Sequence, residues 1–257
     1  MVDPRALLID IDGVLTVSWR PLPGAVEALR RLRCDGPPLR LVTNTTSRTR
    51  ASIADALRAA GFDIAVDEIL TAPAATAEYL RAHHPGARCL LLNSGDITED
   101  LADVELVDDE PDVVVLGGAG PEFGYAALNR VFGFVQRGAA FVAMHRSLRW
   151  RTAEGLQLDT GAFLMGIEHA ADREAVVVGK PSAEFFGSAL GALGAAPEEA
   201  LMIGDDVETD VLAAQRHGLT GVLVRTGKFT REGLATASGT PDHVLDSFAD
   251  LPALLGR

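Results

Sequence analysis

The stretch "ALLIDIDGVL" at residues 6–15 ends an aliphatic run in two acids, Asp10 and Asp12, with Ile11 between them and Gly13 directly after. A carboxylate inside an apolar core is costly unless it is paired or holds a metal. These acids therefore belong at the end of a strand, facing a cleft. The run before them is continuously apolar rather than alternating, as in a strand covered on both faces.

The same pattern recurs along the chain. Strands are expected at 6–10, 39–44, 88–93, 112–117, 139–144, 175–179, 200–204 and 221–225. Between them, residues 24–33, 49–61, 74–84, 124–138, 182–194 and 208–218 carry the i, i+3, i+4 apolar recurrence of amphipathic helices. Strand–helix alternation of this kind defines an α/β fold built on a Rossmann-like, doubly wound parallel sheet. Strand ends rich in acids and hydroxyls cluster at 6–13, 39–47 and 200–210, and the middle of the chain lacks them. With no flexible linker in evidence, one domain is expected to be inserted into the other. The core would comprise 1–76 and 178–257, and the insertion 77–177.

Composition narrows the function. The 257 residues are 47% hydrophobic and 23% charged, with a formal net charge of −13. No Lys/Arg cluster stands out, which argues against nucleic acid and anionic membranes as partners. No apolar run approaches the roughly 20 residues that cross a bilayer. The opening "MVDPRALLIDIDG" lacks the basic-then-apolar pattern of a signal peptide. The two cysteines, Cys34 and Cys89, lie far apart and outside any C-x-x-C pattern, and both are expected to be small buried residues. A cytoplasmic enzyme or binding protein is the expectation.

Four motifs fall at expected strand ends: "DIDGVL" with Asp10 and Asp12, "LVTNTTS" with Thr43 and Asn44, "VVVGKPS" with Lys180, and "MIGDDVETD" with Asp205, Asp206 and Asp210. In doubly wound sheets these ends form the ligand crevice. Neighbouring carboxylates repel unless a hard cation sits among them, and an oxygen-only set favours Mg²⁺. A hydroxyl, a lysine and turn N–H groups suit a phosphate. One carboxylate can then attack phosphorus while a second moves a proton. On an extended strand, Asp12 would share a face with Asp10.

With these motifs the sequence resembles the haloacid dehalogenase-like hydrolase superfamily, and its long insertion resembles the large α/β cap of class II members. The resemblance implies a Mg²⁺-dependent phosphatase of small phosphorylated substrates, with Asp10 as nucleophile and metal ligand. It implies Asp12 as general acid/base, with its backbone carbonyl on the metal. Thr43 and the Asn44 N–H would hold the phosphoryl group, Lys180 would neutralise charge, and Asp205 would bind the metal directly. Asp206 and Asp210 would stand behind these ligands or reach the metal through water. A homodimer through the cap is a further expectation from the resemblance.

The chain departs from the class II pattern at 143–152, "AMHRSLRWRT", where an Asn-Pro-Asp segment is often found. His145, Arg146 and Trp150 are the candidate substrate contacts there. Other readings fit less well. In "DIDG" the glycine comes too early for a calcium loop of the EF-hand type. "GGAGPEFG" (117–124) misses the dinucleotide fingerprint by one residue and is read as a glycine-lined turn. A phosphomutase or other phosphotransferase of this family usually carries a helical cap between the first two motifs, and only about 30 residues lie there. A non-catalytic binding protein of the same fold would be expected to lack a motif residue, and none is missing.

Overall fold

The computed structural model describes residues 3–152 and 155–257. They form two compact units. The first comprises residues up to 43, 50–70 and 180–257; the second comprises 44–49 and 71–179. The changes of unit fall at 70/71 and 179/180, against 76/77 and 177/178 expected from the motif pattern. The helix Ala72–His83 belongs to the second unit as a whole.

In the first unit, Ala6–Asp10 is an interior strand of a six-stranded sheet. The order is His243–Leu245, Thr220–Val224, Ala200–Gly204, Ala6–Asp10, Leu39–Thr43, Ile69–Thr71. Ala6 pairs with Ala200 on one side and Leu7 with Leu39 on the other, both in parallel. All five residues of Ala6–Asp10 are buried, as its unbroken apolar run requires. Leu7, Ile9, Leu41, Leu201 and Ile203 share one cluster with Leu29, Leu32, Ile53 and Leu57 from two helices. The helix Ala25–Asp35 contributes Ala25, Ala28, Leu29 and Leu32, the i, i+3, i+4, i+7 stripe of its sequence. Each such leucine contributes about 1.5–3 kcal/mol by leaving water.

In the second unit, the strands Val176–Val177, Ala140–Ala143, Val113–Leu116, Arg88–Leu92 and Glu105–Leu106 form a parallel sheet in that order. The helices Tyr125–Gln136 and Thr160–Ala171 pack on it through Val131, Phe134, Leu164 and Ile167. Beside it lies an antiparallel hairpin of Arg149–Thr152 and Gly155–Leu158.

Three local readings change. The segment 208–218 is not one α-helix: Val207–Leu212 is π-helical and Ala213–Arg216 is α-helical. Asp206 caps this turn: its side chain accepts the N–H groups of Glu208 and Thr209 at 3.1 Å, and its carbonyl is shared between the N–H of Asp210, four residues on, and that of Val211, five residues on, the spacing of a π-helical turn. Residues 143–152 are partly strand rather than all loop, because Arg149–Thr152 finds its partner in Gly155–Leu158. Cys34 is exposed while Cys89 is buried, since Cys34 faces outward on the helix Ala25–Asp35. No helix among the described residues is long and apolar enough to cross a membrane.

Candidate active site

Asp10 closes the interior strand and is 5% exposed. Asp205 follows the neighbouring strand Ala200–Gly204, and Asp210 sits within the π-helical turn after it. Each of the three offers one oxygen, and these atoms lie within 4.8 Å of one another. Among the described residues this is the one group of three or more acids, histidines or cysteines so arranged.

Lys180 enters this cluster from the first residue after the second unit. Its Nζ donates to Asp10 Oδ1 at 2.7 Å and lies 2.8 Å from Asp210 Oδ1. Burial alone would disfavour its ammonium, but Asp10 and Asp210 outweigh this and hold its pKa above the usual lysine range. The acids respond in the opposite direction. Burial, with the charges of Asp10 and Asp210, pushes Asp205 up to about 8. Burial also pushes Asp210 up to about 6, against the pull of Lys180.

The residues present fit a hard divalent cation. Three carboxylates and one ammonium leave two negative charges when all are ionised, which a single dication neutralises. The donors are all oxygens, which suits Mg²⁺. Asp205 Oδ1 is buried without a hydrogen-bond partner, while its Oδ2 accepts the Lys228 N–H at 2.7 Å. A buried carboxylate oxygen left bare costs free energy unless a ligand meets it.

Asp12 lies outside the strand. The strand stops at Asp10, and Asp12 bridges to Thr16 at the base of a hairpin, Thr16–Val17 with Arg20–Pro21. Its position is therefore set by a turn and not by strand alternation. Ser18 and Trp19 at the hairpin tip both have positive φ, 50° and 64°. Asp12 is exposed at its outer edge, yet the loop removes enough water to hold its carboxyl above the usual range. Lys228 and the Ser18 N–H pull the other way. Gly13 has φ +86°, and a Cβ there would lie 1.9 Å from Asp205 Oδ2. That position admits glycine on both counts. Thr43 is buried at the end of Leu39–Thr43, the strand beside Ala6–Asp10. Asp206 is turned to its capping role, with Oδ2 3.9 Å from the largely exposed Lys228 ammonium. Desolvation opposes that ammonium's charge, but Asp210, Asp10, Asp205 and Asp206 together hold its pKa up.

The remaining candidates lie in the second unit. Asn44 begins it. His145 is buried; its Nδ1 accepts the Ser147 N–H at 3.3 Å, and Nε2 lies 3.8 Å from Asp159, the N-cap of Thr160–Ala171. Arg146 is bound in a fork to Glu168 at 2.8 and 2.6 Å, and Glu168 also accepts the Ala175 N–H. Its guanidinium thus joins two elements of the second unit. Trp150 stands on the hairpin, 46% exposed. The "GGAG" stretch is a turn: Asn93 accepts the Gly118 N–H at 2.7 Å and donates to the Thr46 carbonyl at 3.0 Å.

The sequence reading missed Thr226, Gly227 and Lys228. Thr226 donates its hydroxyl to the Gly13 carbonyl, and Lys228 offers its backbone to Asp205. A backbone N–H such as that of Lys228 leaves no mark in residue types.

A parallel sheet with acids and a lysine gathered at its strand ends, and a second α/β unit inserted between its motifs, describes the haloacid dehalogenase-like fold. Residues 7–107 match the family model "Haloacid dehalogenase-like hydrolase", and residues 177–251 match an HAD-hydrolase-like model. The chain belongs to this family of hydrolases. It is 40% identical over 244 residues to the haloacid dehalogenase-like hydrolase domain-containing protein 2 of Rattus norvegicus, covering 95% of this chain and 93% of the relative. It is 40% identical over 252 residues to the phospholysine phosphohistidine inorganic pyrophosphate phosphatase of Xenopus laevis, covering 95% and 92%. The p-nitrophenyl phosphatase from Archaeoglobus fulgidus superposes with a TM-score of 0.92 at 31% identity, covering 98% of this chain and all of that one.

Proposed function

We propose that the protein is a cytoplasmic, Mg²⁺-dependent phosphatase of small phosphate esters or related phosphoryl compounds, acting through an aspartyl-phosphate. The observation that carries the reading is the buried cluster of Asp10, Lys180, Asp205 and Asp210 at the strand ends of the first unit. The phosphatase names of its relatives support it.

In this reading a carboxylate oxygen of Asp10 attacks phosphorus, and the bond to the leaving oxygen or nitrogen breaks as Asp12 gives it a proton. The raised pKa of Asp12 favours the protonated form that this step uses. Asp12, now a carboxylate, takes a proton from water. That water attacks phosphorus, the bond to Asp10 breaks, and inorganic phosphate leaves. Lys180 neutralises Asp10 before attack and the phosphoryl oxygens during it. The Thr43 hydroxyl and the Asn44 N–H hold two of those oxygens. Asp10, Asp205 and the Asp12 carbonyl would hold Mg²⁺, which when bound offsets charge growing on the phosphoryl group.

The second unit chooses the substrate. The support is that its described residues contain no comparable acid cluster. A homodimer through this unit belongs to the same reading. It is supported by Leu148, Trp150, Leu156 and Leu158, left exposed on the hairpin and its lead-in, and light scattering on the purified protein decides it.

The test is Asp10→Asn, nearly isosteric but a poor nucleophile. Phosphate release should fall by many orders of magnitude with the fold intact. A variant free of wild-type contamination that keeps a tenth of the rate refutes the assignment. Transfer of the phosphoryl group to a second sugar phosphate, in preference to water, would make the protein a phosphotransferase. Binding of phosphate esters without any turnover would make it a binding protein.

A further inference from the structure

The loop 225–228 meets Asp205 and the turn after Asp10 at three points, none of them through a carboxylate of its own. The Thr226 hydroxyl donates to the Gly13 carbonyl. Gly227, at φ +59°, lies so close that a Cβ there would fall 1.9 Å from Asp205 Oδ2 and 2.5 Å from Gly13 Cα. The Lys228 N–H donates to the same Asp205 Oδ2 at 2.7 Å. Asp205 Oδ2 is thus enclosed by two glycines and a backbone donor, while Oδ1 stays buried without a partner.

We propose that Thr226 is a positioning residue for the metal ligand Asp205, acting as a latch between the loop 225–228 and the loop that follows Asp10. The argument rests on the Mg²⁺ reading above. A carboxylate on Cβ has two soft torsions, and either oxygen can face a cation. Here one oxygen is fixed by the Lys228 N–H, so the other alone is offered. That N–H stays in place only while the loop 225–228 lies against Gly13. The two loops meet through glycine backbones, which supply little side-chain contact, and the Thr226 hydroxyl adds a side-chain hydrogen bond between them. Its effect on the ion is transmitted through backbone and hydrogen bonds, without touching substrate.

The test is Mg²⁺ binding to the whole protein without substrate, followed by isothermal titration calorimetry, with Mg²⁺ alone as the probe. Thr226→Val keeps the branched shape and removes the donor. It should weaken Mg²⁺ binding about tenfold, equivalent to about 1.4 kcal/mol. Thr226→Ser restores the hydroxyl and should bind within about threefold of wild type. Melting curves establish that each variant is folded, and Thr226→Ala replaces the valine variant if that one is not. A folded variant without the hydroxyl that binds Mg²⁺ within about threefold of wild type overturns the proposal. So does a serine variant as weak as the valine one. Wild-type protein that binds no Mg²⁺ overturns instead the metal assignment on which this proposal rests.

Discussion

Replacing Asp205 with asparagine should stabilise the metal-free protein while removing its capacity to hold the ion. Asp205 shares a buried site with Asp10 and Asp210, their ligand atoms within 4.8 Å. Two unit charges at that separation repel by about 3.5 kcal/mol at an effective dielectric of about 20. Burial and these two neighbours push its pKa up to about 8, against about 3.9 in an unfolded chain. Because the folded value lies above the unfolded one, the carboxyl's contribution to stability is complete below pH ~4. It is lost progressively as pH rises to about 8. At about 1.36 kcal/mol per pH unit, the loss grows from about 1–2 kcal/mol at pH 5 to roughly 4–6 kcal/mol by pH 8. The asparagine side chain would be neutral throughout and would still accept the Lys228 N–H, so the variant escapes this loss. Burying the amide has its own desolvation cost, so the measured gain should fall below these ceilings. The assay is denaturant unfolding of wild type and Asp205→Asn in chelator at pH 5, 7 and 9. With Mg²⁺ at about a hundred times its dissociation constant, wild type should recover about 2.7 kcal/mol and the variant little. A variant less stable than wild type at all three pH values in chelator, or a gain that does not grow with pH, refutes the electrostatic account of the cluster.

Two other substitutions probe separate features. Gly13→Ala places a methyl group 1.9 Å from Asp205 Oδ2 at a φ of +86°; it should abolish phosphate release and weaken Mg²⁺ binding more than tenfold, checked by phosphate assay and calorimetry. Arg146→Met leaves the buried Glu168 without its forked partner. It should cost about 1–3 kcal/mol and lower the melting temperature by about 2–12 °C, read by calorimetric melting.

The strands carrying Asp10, Thr43 and Asp205 could be read from sequence because each is a short apolar run ending in polar residues. Covering both faces of a parallel sheet demands that pattern. What escaped depends on partners distant along the chain. Arg149–Thr152 has no strand signal of its own and becomes one only beside Gly155–Leu158. The helix Thr160–Ala171 is diluted by Gly161 and Gly166 and went unread, although Asp159 caps it. Arg146 is a candidate substrate contact by sequence, and its fork to Glu168, 22 residues on, could not be read from the local pattern. Asp210, expected behind the ligands, lies in the π-helical turn beside Asp10 and Lys180. Asp12 was placed by strand periodicity, and the strand stops two residues before it.

The pairing of Ala6 with Ala200 has a consequence for how the chain is made. The two residues are 194 positions apart. At about 5–20 residues per second, a ribosome needs roughly 10–40 s to deliver the second strand after the first. Through that interval Ala6–Asp10 has Leu39–Thr43 on one side and a bare edge on the other, its five residues all of a kind that the finished fold buries. The sheet of the second unit, whose strands run from Arg88 to Val177, is meanwhile complete. Nascent chains therefore carry a finished insert and an open-edged first half. Chaperone binding to arrested chains of increasing length should rise once residues 6–43 leave the tunnel and fall only after Ala200–Gly204 has followed.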